Sequence, residues 1–358
     1  DGIVTVCRDT SCYCRCDGVD DHIEINEATA YINSIGGGTV HLKNGTYNIN
    51  STIEVYSNMI FEGDNWTTMI KPIDHATEEE LAQAFPLYEA IIENADESEG
   101  NSNITLRNFE IDGNNLGQPY TGDAHYLDLM EFKLVNNLII TNVLGYDGKS
   151  DGIRFYHCSN VVMSNNKLVD IKHDTFLGTN SNNCTIENNT IIINPGYGNS
   201  AFRTYGGQNQ LYRNNIVRGT AGWYGFQIGQ YGTYECYNIQ IIHNTITSKA
   251  DSGIVFVAGN PSPEKTRDNL ISGNIIYDCS QSTTYGYGIR VGNGWVNTTI
   301  SNNVLYGNRY GIYAPISEKV YVKNNIIVNN TQSGLNGSNI VSTYNDVWNN
   351  GVDYSGCS

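Results

Sequence analysis

A short phrase built around asparagine recurs along most of this chain. Each copy has an alternating apolar–polar run, then one Asn or an Asn pair, then a second apolar run, as in Val161–Leu168. The phrase returns every 20 to 34 residues. A fixed phrase at a drifting period of this size is typical of a solenoid, in which each repeat stacks on its neighbours. The last Asn of each phrase is Asn108, Asn142, Asn166, Asn189, Asn215, Asn244, Asn274, Asn303, Asn325 or Asn345.

The repeat is built from strands. Its apolar runs are short, alternating and rich in β-branched residues, and the segments between them contain the Gly, Asn, Ser and Thr that favour turns. A second strand signal follows the phrases, as in Gly152–Arg154 and Gly288–Arg290. This pattern predicts an all-β fold, a parallel β-helix whose coils stack at about 4.8 Å. We expect the Asn residues to be structural, because Asn tolerates left-handed backbone angles at a tight bend and can hydrogen-bond its copy in the next coil.

The ends of the predicted solenoid carry additional elements. Residues 20–35 place apolar side chains at a helical period and stop at Gly36–Gly38, which predicts a helix that caps the first coil. Thr77 precedes three glutamates and predicts the N-terminus of a short helix. We expect one domain over 1–358, with a Cys-rich segment and capping helix at 1–35, first coils at 36–71, an excursion at 72–100, main coils at 101–350 and a tail at 351–358.

Charge and hydropathy exclude two classes of partner. The net charge is −17 with 20 basic residues, which argues against nucleic acid, because binding to phosphates depends on Lys and Arg. The sequence contains no apolar run near the ~18 residues of a membrane span. An acidic surface also repels a polyanion unless basic residues are concentrated at the site, so the positions of the few Arg and Lys residues are informative.

Cysteines crowd the N-terminus at Cys7, Cys12, Cys14 and Cys16. Their spacing matches no common zinc pattern, so we expect disulfides rather than a metal site. Sequons such as Asn44–Thr46 occur repeatedly. Together these features predict a secreted or cell-surface protein.

Several segments resemble a known family. Cys16–Ala28, Thr39–Lys43, Phe61–Asp64 and Asn108–Asn114 resemble the right-handed β-helix domain of archaeal disaggregatase and related methanogen surface proteins. That family degrades methanochondroitin, a uronate-containing matrix polysaccharide. The opening of the chain is also similar to the pectin-lyase-like superfamily of polysaccharide lyases, hydrolases and epimerases. The resemblance implies a right-handed parallel β-helix with an N-terminal capping helix, and an enzyme that depolymerises an acidic extracellular polysaccharide.

The repeat also predicts which polar residues lie together. When neighbouring coils are aligned, backbones one coil apart are about 5 Å apart, so Asp151 and Asp174 come close. Glycosidases use such a carboxyl pair, and stacked like charges raise one pKa. The alignment predicts one column of Asp128, Asp151, Asp174 and Ser200, and a second column of Glu131, Arg154, Leu177 and Arg203.

We predict Asp151 and Asp174 as catalytic carboxyl groups, with His173 as a further acid–base group. Arg154 and Arg203 are predicted to bind uronate carboxylates. The structural alternatives are that the aspartates close bends, that the arginines are solvated and that the aromatic residues form a ladder. The other predicted substrate-binding residues are Lys149, Asp128, Glu131, Tyr146, Tyr197, Tyr205, Trp223 and Tyr224, with Asp123 and His125 as additional candidates for the same cleft.

Three functions remain open from the sequence. The first is endo glycoside hydrolysis of an acidic polysaccharide by the carboxyl pair, which requires no cofactor. The second is a polysaccharide lyase with an Arg, Lys or His base and Ca²⁺ on the aspartate column. The third is a non-enzymatic surface solenoid that binds carbohydrate. The oligomeric state is open.

Overall fold

The structure, a computed structural model, describes residues 2–9, 12–86, 90–119, 127–219, 222–247, 252–258, 265–279, 285–315 and 318–356. The chain divides into two compact units, Asp1–His173 and Asp174–Ser358. The single-domain organisation stays a prediction. In the described ranges, no helix is long and apolar enough to cross a membrane.

The first unit is a stack of parallel coils. Strands β5 (Ile53–Val55), β8 (Ala90–Asn94), β10 (Asp128–Lys133) and β12 (Ile153–Tyr156) pair in parallel to form one face. On another face, the long strands β9 (Ser102–Asp112) and β11 (Asn136–Tyr146) pair with each other in parallel from end to end. The elements are β1 (Ile3–Cys7), β2 (Cys14–Arg15), α1 (His22–Ser34), β3 (Gly38–Leu42), β4 (Gly45–Ile49), β5 (Ile53–Val55), β6 (Met59–Gly63), β7 (Thr68–Pro72), α2 (Glu78–Ala84), β8 (Ala90–Asn94), β9 (Ser102–Asp112), β10 (Asp128–Lys133), β11 (Asn136–Tyr146), β12 (Ile153–Tyr156), β13 (Ser159–Ser164) and β14 (Lys167–Val169), with 3₁₀ turns at Asn65–Thr67 and Asn115–Gly117.

The second unit repeats three strands per coil. One strand of each coil pairs in parallel with its copy in the next coil, in the order β15 (Phe176–Thr179), β18 (Ser200–Tyr205), β21 (Tyr224–Gln230), β24 (Ser252–Ala258), β27 (Tyr287–Val291), β30 (Tyr310–Tyr313), β33 (Ser333–Asn336) and β36 (Tyr354–Ser355). The elements are β15 (Phe176–Thr179), β16 (Asn182–Glu187), β17 (Thr190–Ile193), β18 (Ser200–Tyr205), β19 (Gly207–Arg213), β20 (Ile216–Gly219), β21 (Tyr224–Gln230), β22 (Cys236–Ile242), β23 (Thr245–Thr247), β24 (Ser252–Ala258), β25 (Arg267–Ser272), β26 (Ile275–Tyr277), β27 (Tyr287–Val291), β28 (Val296–Ser301), β29 (Val304–Tyr306), β30 (Tyr310–Tyr313), β31 (Glu318–Lys323), β32 (Ile326–Val328), β33 (Ser333–Asn336), β34 (Ile340–Thr343), β35 (Asp346–Trp348) and β36 (Tyr354–Ser355).

Alternation along the strands builds the core. In β6, Met59 and Phe61 are fully buried, whereas the alternate residues Ile60 and Glu62 are partly exposed. In the second unit, Phe202 stacks between Phe176 and Phe226, with ring centroids 5.1 and 4.5 Å apart. The interior is therefore made of apolar columns, and the prediction of a parallel β-helix is confirmed.

Both predicted helices are present. Helix α1 buries Ile25, Ala28 and Ile32, and it packs against β1, β3 and β5, so it covers the first coils. Helix α2 begins after Thr77, whose hydroxyl oxygen accepts a hydrogen bond from the backbone N–H of Glu80 at 3.2 Å.

One disulfide joins two of the four N-terminal cysteines, so the prediction of disulfides in this segment is confirmed in part. Cys7 is bonded to Cys12, whereas Cys14 and Cys16 are free thiols. The bond closes a short loop beside β1. It therefore constrains less of the N-terminal segment than a set of disulfides through all four cysteines would.

Most of the marker asparagines are buried in a ladder of hydrogen bonds, and these do not occupy the bend. The backbone N–H of Asn215 donates to Oδ1 of Asn244 at 2.9 Å, and Asn244 makes the same bond to Asn274. The preceding residue takes the left-handed conformation, as at Asn214 with φ 55°. The expectation that one Asn does both is wrong for these phrases: the residue before the marker bends the chain, and the marker Asn links the coils.

We expect Asn244→Ala to lower the free energy of unfolding by about 3 kcal/mol, because two buried backbone groups lose their partners. These groups are the Asn215 N–H and the Tyr212 carbonyl, bonded to the Asn244 amide at 2.9 and 3.0 Å. Asn214→Gly is the matched control, since glycine accepts the left-handed bend. Urea denaturation of both variants measures the difference, and equal losses would contradict the ladder's role.

Candidate functional site

Two buried aspartates lie on neighbouring coils of the first unit. Asp128 begins β10, and Asp151 lies just before β12. The backbone N–H of Asp151 donates to Oδ1 of Asp128 at 2.9 Å, and the two residues are 2% and 1% exposed. The predicted alignment of Asp128 with Asp151 is confirmed, with both carboxyl groups enclosed by the protein.

An arginine connects these aspartates to the next column. Strand register places Arg154 opposite Glu131. Arg154 Nη1 lies 3.7 Å from Oδ2 of Asp128, and its Nε lies 3.7 Å from Oε1 of Glu131. The Arg154 side chain is 27% exposed, whereas that of Glu131 is 2% exposed. The Arg154 side chain is therefore partly exposed, beside two buried acidic groups.

Burial changes the protonation of these acidic groups. It raises the pKa of Asp128 well above its usual value, and the negative charges of Asp151 and Glu131 raise it further. Arg154 opposes that rise. Burial also raises the pKa of Glu131, against the lowering effect of Arg154 and Lys133. Burial is the largest cause and the like charge of Asp151 is the next, so Asp128 is driven toward its neutral form.

His173 is the exposed end of this cluster. Its Nδ1 lies 2.7 Å from Oδ1 of Asp151, and its side chain is 38% exposed while that of Asp151 is 2% exposed. A carboxylate in contact with one ring nitrogen orients the imidazole and stabilises the imidazolium that forms when a proton is taken up. A histidine held in this way is able to serve as a general acid or base. We name Asp128, Glu131, Asp151, Arg154 and His173 the first-unit cluster.

We expect the protein's stability to depend on pH through Asp128. Its raised pKa means that the folded state binds more protons than the unfolded state, so the free energy of unfolding falls as pH rises from about 4 through the folded pKa. Asp128→Asn removes this dependence. Urea denaturation across that range should show the wild type losing stability relative to the variant as pH rises. A difference that stays constant with pH would contradict the raised pKa.

In the second unit, Asp174 holds an arginine. Its Oδ1 accepts a hydrogen bond from the Ser200 backbone N–H at 2.9 Å, and its Oδ2 lies 2.8 Å from Nη1 of Arg203. Asp174 is fully buried and Arg203 is 9% exposed. Strand register places Leu177 opposite Arg203. The predicted alignments within this unit are confirmed, and the arrangement is that of a buried ion pair.

One aromatic ring lies beside Arg203. Its guanidinium carbon lies 5.6 Å from the ring centroid of Tyr205, and that ring lies 5.6 Å from the ring of Tyr231. Both contacts are within range of cation–π or aromatic pairing. Arg203 and Tyr205, both predicted to bind substrate, are therefore brought together.

Three further predicted aromatic residues lie near the start of β18 and β21. Trp223 is 60% exposed, and its ring centroid lies 6.5 Å from that of Tyr224. Strand register places Tyr224 opposite Ser200. Tyr197 is partly exposed in the turn before β18, where its backbone N–H donates to the Asn194 carbonyl at 3.2 Å. Trp223 offers the most open ring face of the three.

Two predicted residues of the first unit contact other segments. The Lys149 amine donates to the Gln118 carbonyl at 3.0 Å, and burial lowers its pKa, as does the nearby Lys172. The Tyr146 hydroxyl lies 4.0 Å from Sδ of Met69, and burial raises the pKa of that phenol. Both side chains therefore have structural contacts in the first unit.

One group of residues in the first unit has ligand atoms close enough to hold a metal. Cys16, Asp21 and Glu24 place one ligand atom each within 4.8 Å of one another. The Asp21 carboxylate already accepts hydrogen bonds from the backbone N–H groups of Gly18 and Asn48, at 2.7 and 2.8 Å. Burial also raises the pKa of the Cys16 thiol, which opposes the thiolate that a metal needs. The arrangement fits a structural turn.

Two sequence predictions are not tested by these contacts. The pairing of Asp151 with Asp174 joins residues of different units, and it stays a prediction. Asp123 and His125 lie outside the described residues. The catalytic and binding roles of all the predicted residues also remain predictions.

The column that contains Glu131 extends through two earlier glutamates, which were not predicted from the sequence. Strand register places Glu54 opposite Glu93, and Glu93 opposite Glu131. Each of these glutamates follows an apolar residue in a short strand, in Ile53–Val55, Ile92–Asn94 and Met130–Phe132. That shared pattern is a signal that could have identified the column.

Stacked parallel strands with apolar columns inside and charged groups outside define a parallel β-helix. The chain belongs to the right-handed β-helix family: the profile described as "Right handed beta helix region" matches residues 92–216 and 131–283. No curated protein matches the sequence.

Solved structures share the fold over most of the chain. The A-module of Azotobacter vinelandii mannuronan C-5 epimerase AlgE4 has a TM-score of 0.81 and 18% identity, covering 99% of this chain and 100% of that one. The AlgE6 A-module has a TM-score of 0.75 and 18% identity, covering 95% and 91%. The tailspike protein of E. coli bacteriophage HK620, in complex with pentasaccharide, has a TM-score of 0.73 and 14% identity, covering 98% and 64%. These likenesses establish the fold.

Proposed function

We propose that this protein is a secreted or cell-surface enzyme that depolymerises an acidic, uronate-containing polysaccharide by elimination. The observation that carries the proposal is the 2.7 Å contact between the exposed His173 and the buried Asp151. An imidazole held by a carboxylate can remove a proton and return it, which is the chemistry that elimination needs.

The substrate class is supported by resemblance and by chemistry. The segments that resemble archaeal disaggregatase favour methanochondroitin as the natural substrate and a methanogen as the source. Two of the similar structures are modules of enzymes named for mannuronan, and a third is named in complex with a pentasaccharide. The Cys7–Cys12 disulfide supports an extracellular location, where disulfides persist.

The first-unit cluster would act in two steps. His173 removes the proton from the carbon beside the uronate carboxylate, while Arg154 pairs with that carboxylate and stabilises the developing negative charge. The C–O bond to the leaving sugar then breaks, and the imidazolium returns the proton to the glycosidic oxygen. The products are an unsaturated uronate and a new reducing end, and no water is consumed. Asp151 stabilises the imidazolium between the steps.

Glycoside hydrolysis is the second candidate. The raised pKa of Asp128 beside Asp151 favours it, because glycosidases pair a neutral carboxylic acid with a carboxylate. Both groups must meet the substrate, however, and these residues are 1% and 2% exposed. Elimination requires contact with His173 and Arg154, whose side chains are 38% and 27% exposed, and it therefore ranks first.

A product assay separates these reactions. Unsulfated chondroitin, polymannuronate and polygalacturonate are incubated with the protein, with and without EDTA, and both reducing ends and the absorbance of unsaturated uronate are followed. Both signals rising together support elimination, and loss of both with EDTA assigns Ca²⁺ a role. Reducing ends without unsaturation support hydrolysis and overturn elimination. Binding without either product supports a non-enzymatic carbohydrate-binding solenoid.

A further inference from the structure

We propose that the second unit carries a separate binding site for a uronate sugar, formed by Arg290 with Tyr287, Tyr310 and Tyr313. We name these residues the Arg290 site. It takes its ligand class from the proposed function, but it stands on different residues and needs no catalysis.

Three tyrosine rings form the floor of this site. Strands β27 and β30 are neighbours, and their register places Tyr287 opposite Tyr310 and Arg290 opposite Tyr313. The Tyr287 ring is stacked on both other rings, with centroids 5.1 Å from Tyr310 and 4.9 Å from Tyr313. Tyr310 and Tyr313 are partly exposed. Flat apolar faces with a polar hydroxyl edge suit a pyranose ring.

Arg290 has a charge that no carboxylate balances among the described residues. Its guanidinium carbon lies 5.4 Å from the Tyr287 ring centroid. None of the ion pairs in the described ranges includes Arg290, and its Nε–H is buried with no hydrogen-bond acceptor. Arg203 differs, because it lies 2.8 Å from the Asp174 carboxylate. The Nε–H of Arg203 is also buried without an acceptor, so the feature that sets Arg290 apart is a charge with no carboxylate partner among the described residues.

The chemistry selects an anionic sugar. A guanidinium binds a carboxylate through two parallel hydrogen bonds, and a neutral sugar cannot supply that charge. In a chain with a net charge of −17, a partly exposed cation with no counter-ion among the described residues is also a local exception to an acidic surface. Arg309 adds a second cation, with its guanidinium carbon 5.4 Å from the Tyr310 ring centroid. A uronate stacked on the tyrosines would place its carboxylate on Arg290 and supply the counter-ion of the guanidinium.

Calorimetric titration of the whole protein tests this site. The probes are decasaccharides of chondroitin, polymannuronate and polygalacturonate, each beside its carboxyl-reduced form. We expect Arg290→Met to weaken binding of at least one uronate probe about tenfold, the size expected for a charge-assisted bidentate pair. Arg290→Lys should recover part of the affinity. The melting temperature of Arg290→Met should stay at or above the wild-type value, because the variant loses an unsatisfied buried donor.

Arg267→Met is the matched control. Arg267 also lies over a tyrosine ring, 4.2 Å from the centroid of Tyr237, but its guanidinium has a carboxylate partner in Asp268 at 3.1 Å. This variant should bind the probes as the wild type does. Equal affinities for Arg290→Met and wild type, or equal losses for a carboxyl-reduced probe, would overturn the proposal. Arg290-dependent binding without cleavage of any polymer would instead support this site while removing the proposed elimination.

Discussion

Replacing Asp174 with Asn will lower the free energy of unfolding by about 3–5 kcal/mol, because it leaves the guanidinium of Arg203 buried without its counter-ion. The carboxylate and guanidinium are 2.8 Å apart, with Asp174 fully buried and Arg203 9% exposed. Asparagine can still accept the hydrogen bond from the Ser200 N–H, so the loss reports the charge rather than the bend. Equilibrium unfolding in urea measures the effect.

A double-mutant cycle isolates this ion pair. Arg203→Met alone leaves the Asp174 carboxylate buried and uncompensated, and it should also destabilise the protein. The double variant, Asp174→Asn with Arg203→Met, should be more stable than the sum of the single losses predicts, by about 1–3 kcal/mol. The catalytic expectation for Asp174 makes the opposite forecast: Asp174→Asn would abolish turnover and leave the melting temperature nearly unchanged. That result would assign Asp174 to catalysis.

Replacing His173 with Gln will lower kcat about 10²–10⁴-fold on the polymer that the protein cleaves, the range expected when a general acid–base group is removed. The His173 side chain is 38% exposed, so the substitution should leave the melting temperature nearly unchanged. Asp151→Asn removes the carboxylate that contacts the ring at 2.7 Å, and it should lower kcat by a smaller factor. Initial rates of unsaturated uronate formation measure both.

His157 provides the matched control for His173. It is a partly exposed histidine of the same unit, and its ring centroid lies 4.2 Å from that of Tyr156. His157→Gln should retain wild-type turnover. Equal losses in the His157 and His173 variants, or full activity in His173→Gln, would remove His173 from the mechanism and leave the carboxyl groups of the first-unit cluster as the candidates.

The coil register was predictable because it is encoded locally. Each phrase places one strand, and equal positions in successive phrases meet across the stack. The alignments of Asp128 with Asp151 and of Leu177 with Arg203 follow from this spacing alone. The glutamate column could also have been found this way. The separation of the bend from the ladder could not, because the left-handed residue is the marker itself at Asn142 but the residue before the marker at Asn214 and His243.

The sequence by itself determined the parallel β-helix, its capping helix and which polar residues share a column, because all three depend on short-range periodicity. Only the tertiary structure decided which of those residues are enclosed and what each one contacts. It pairs Asp174 with Arg203, places His173 at the surface against Asp151, and leaves Arg290 without a carboxylate among the described residues. Burial and charge pairing depend on how the segments between strands pack over a column, and the repeat does not encode that packing.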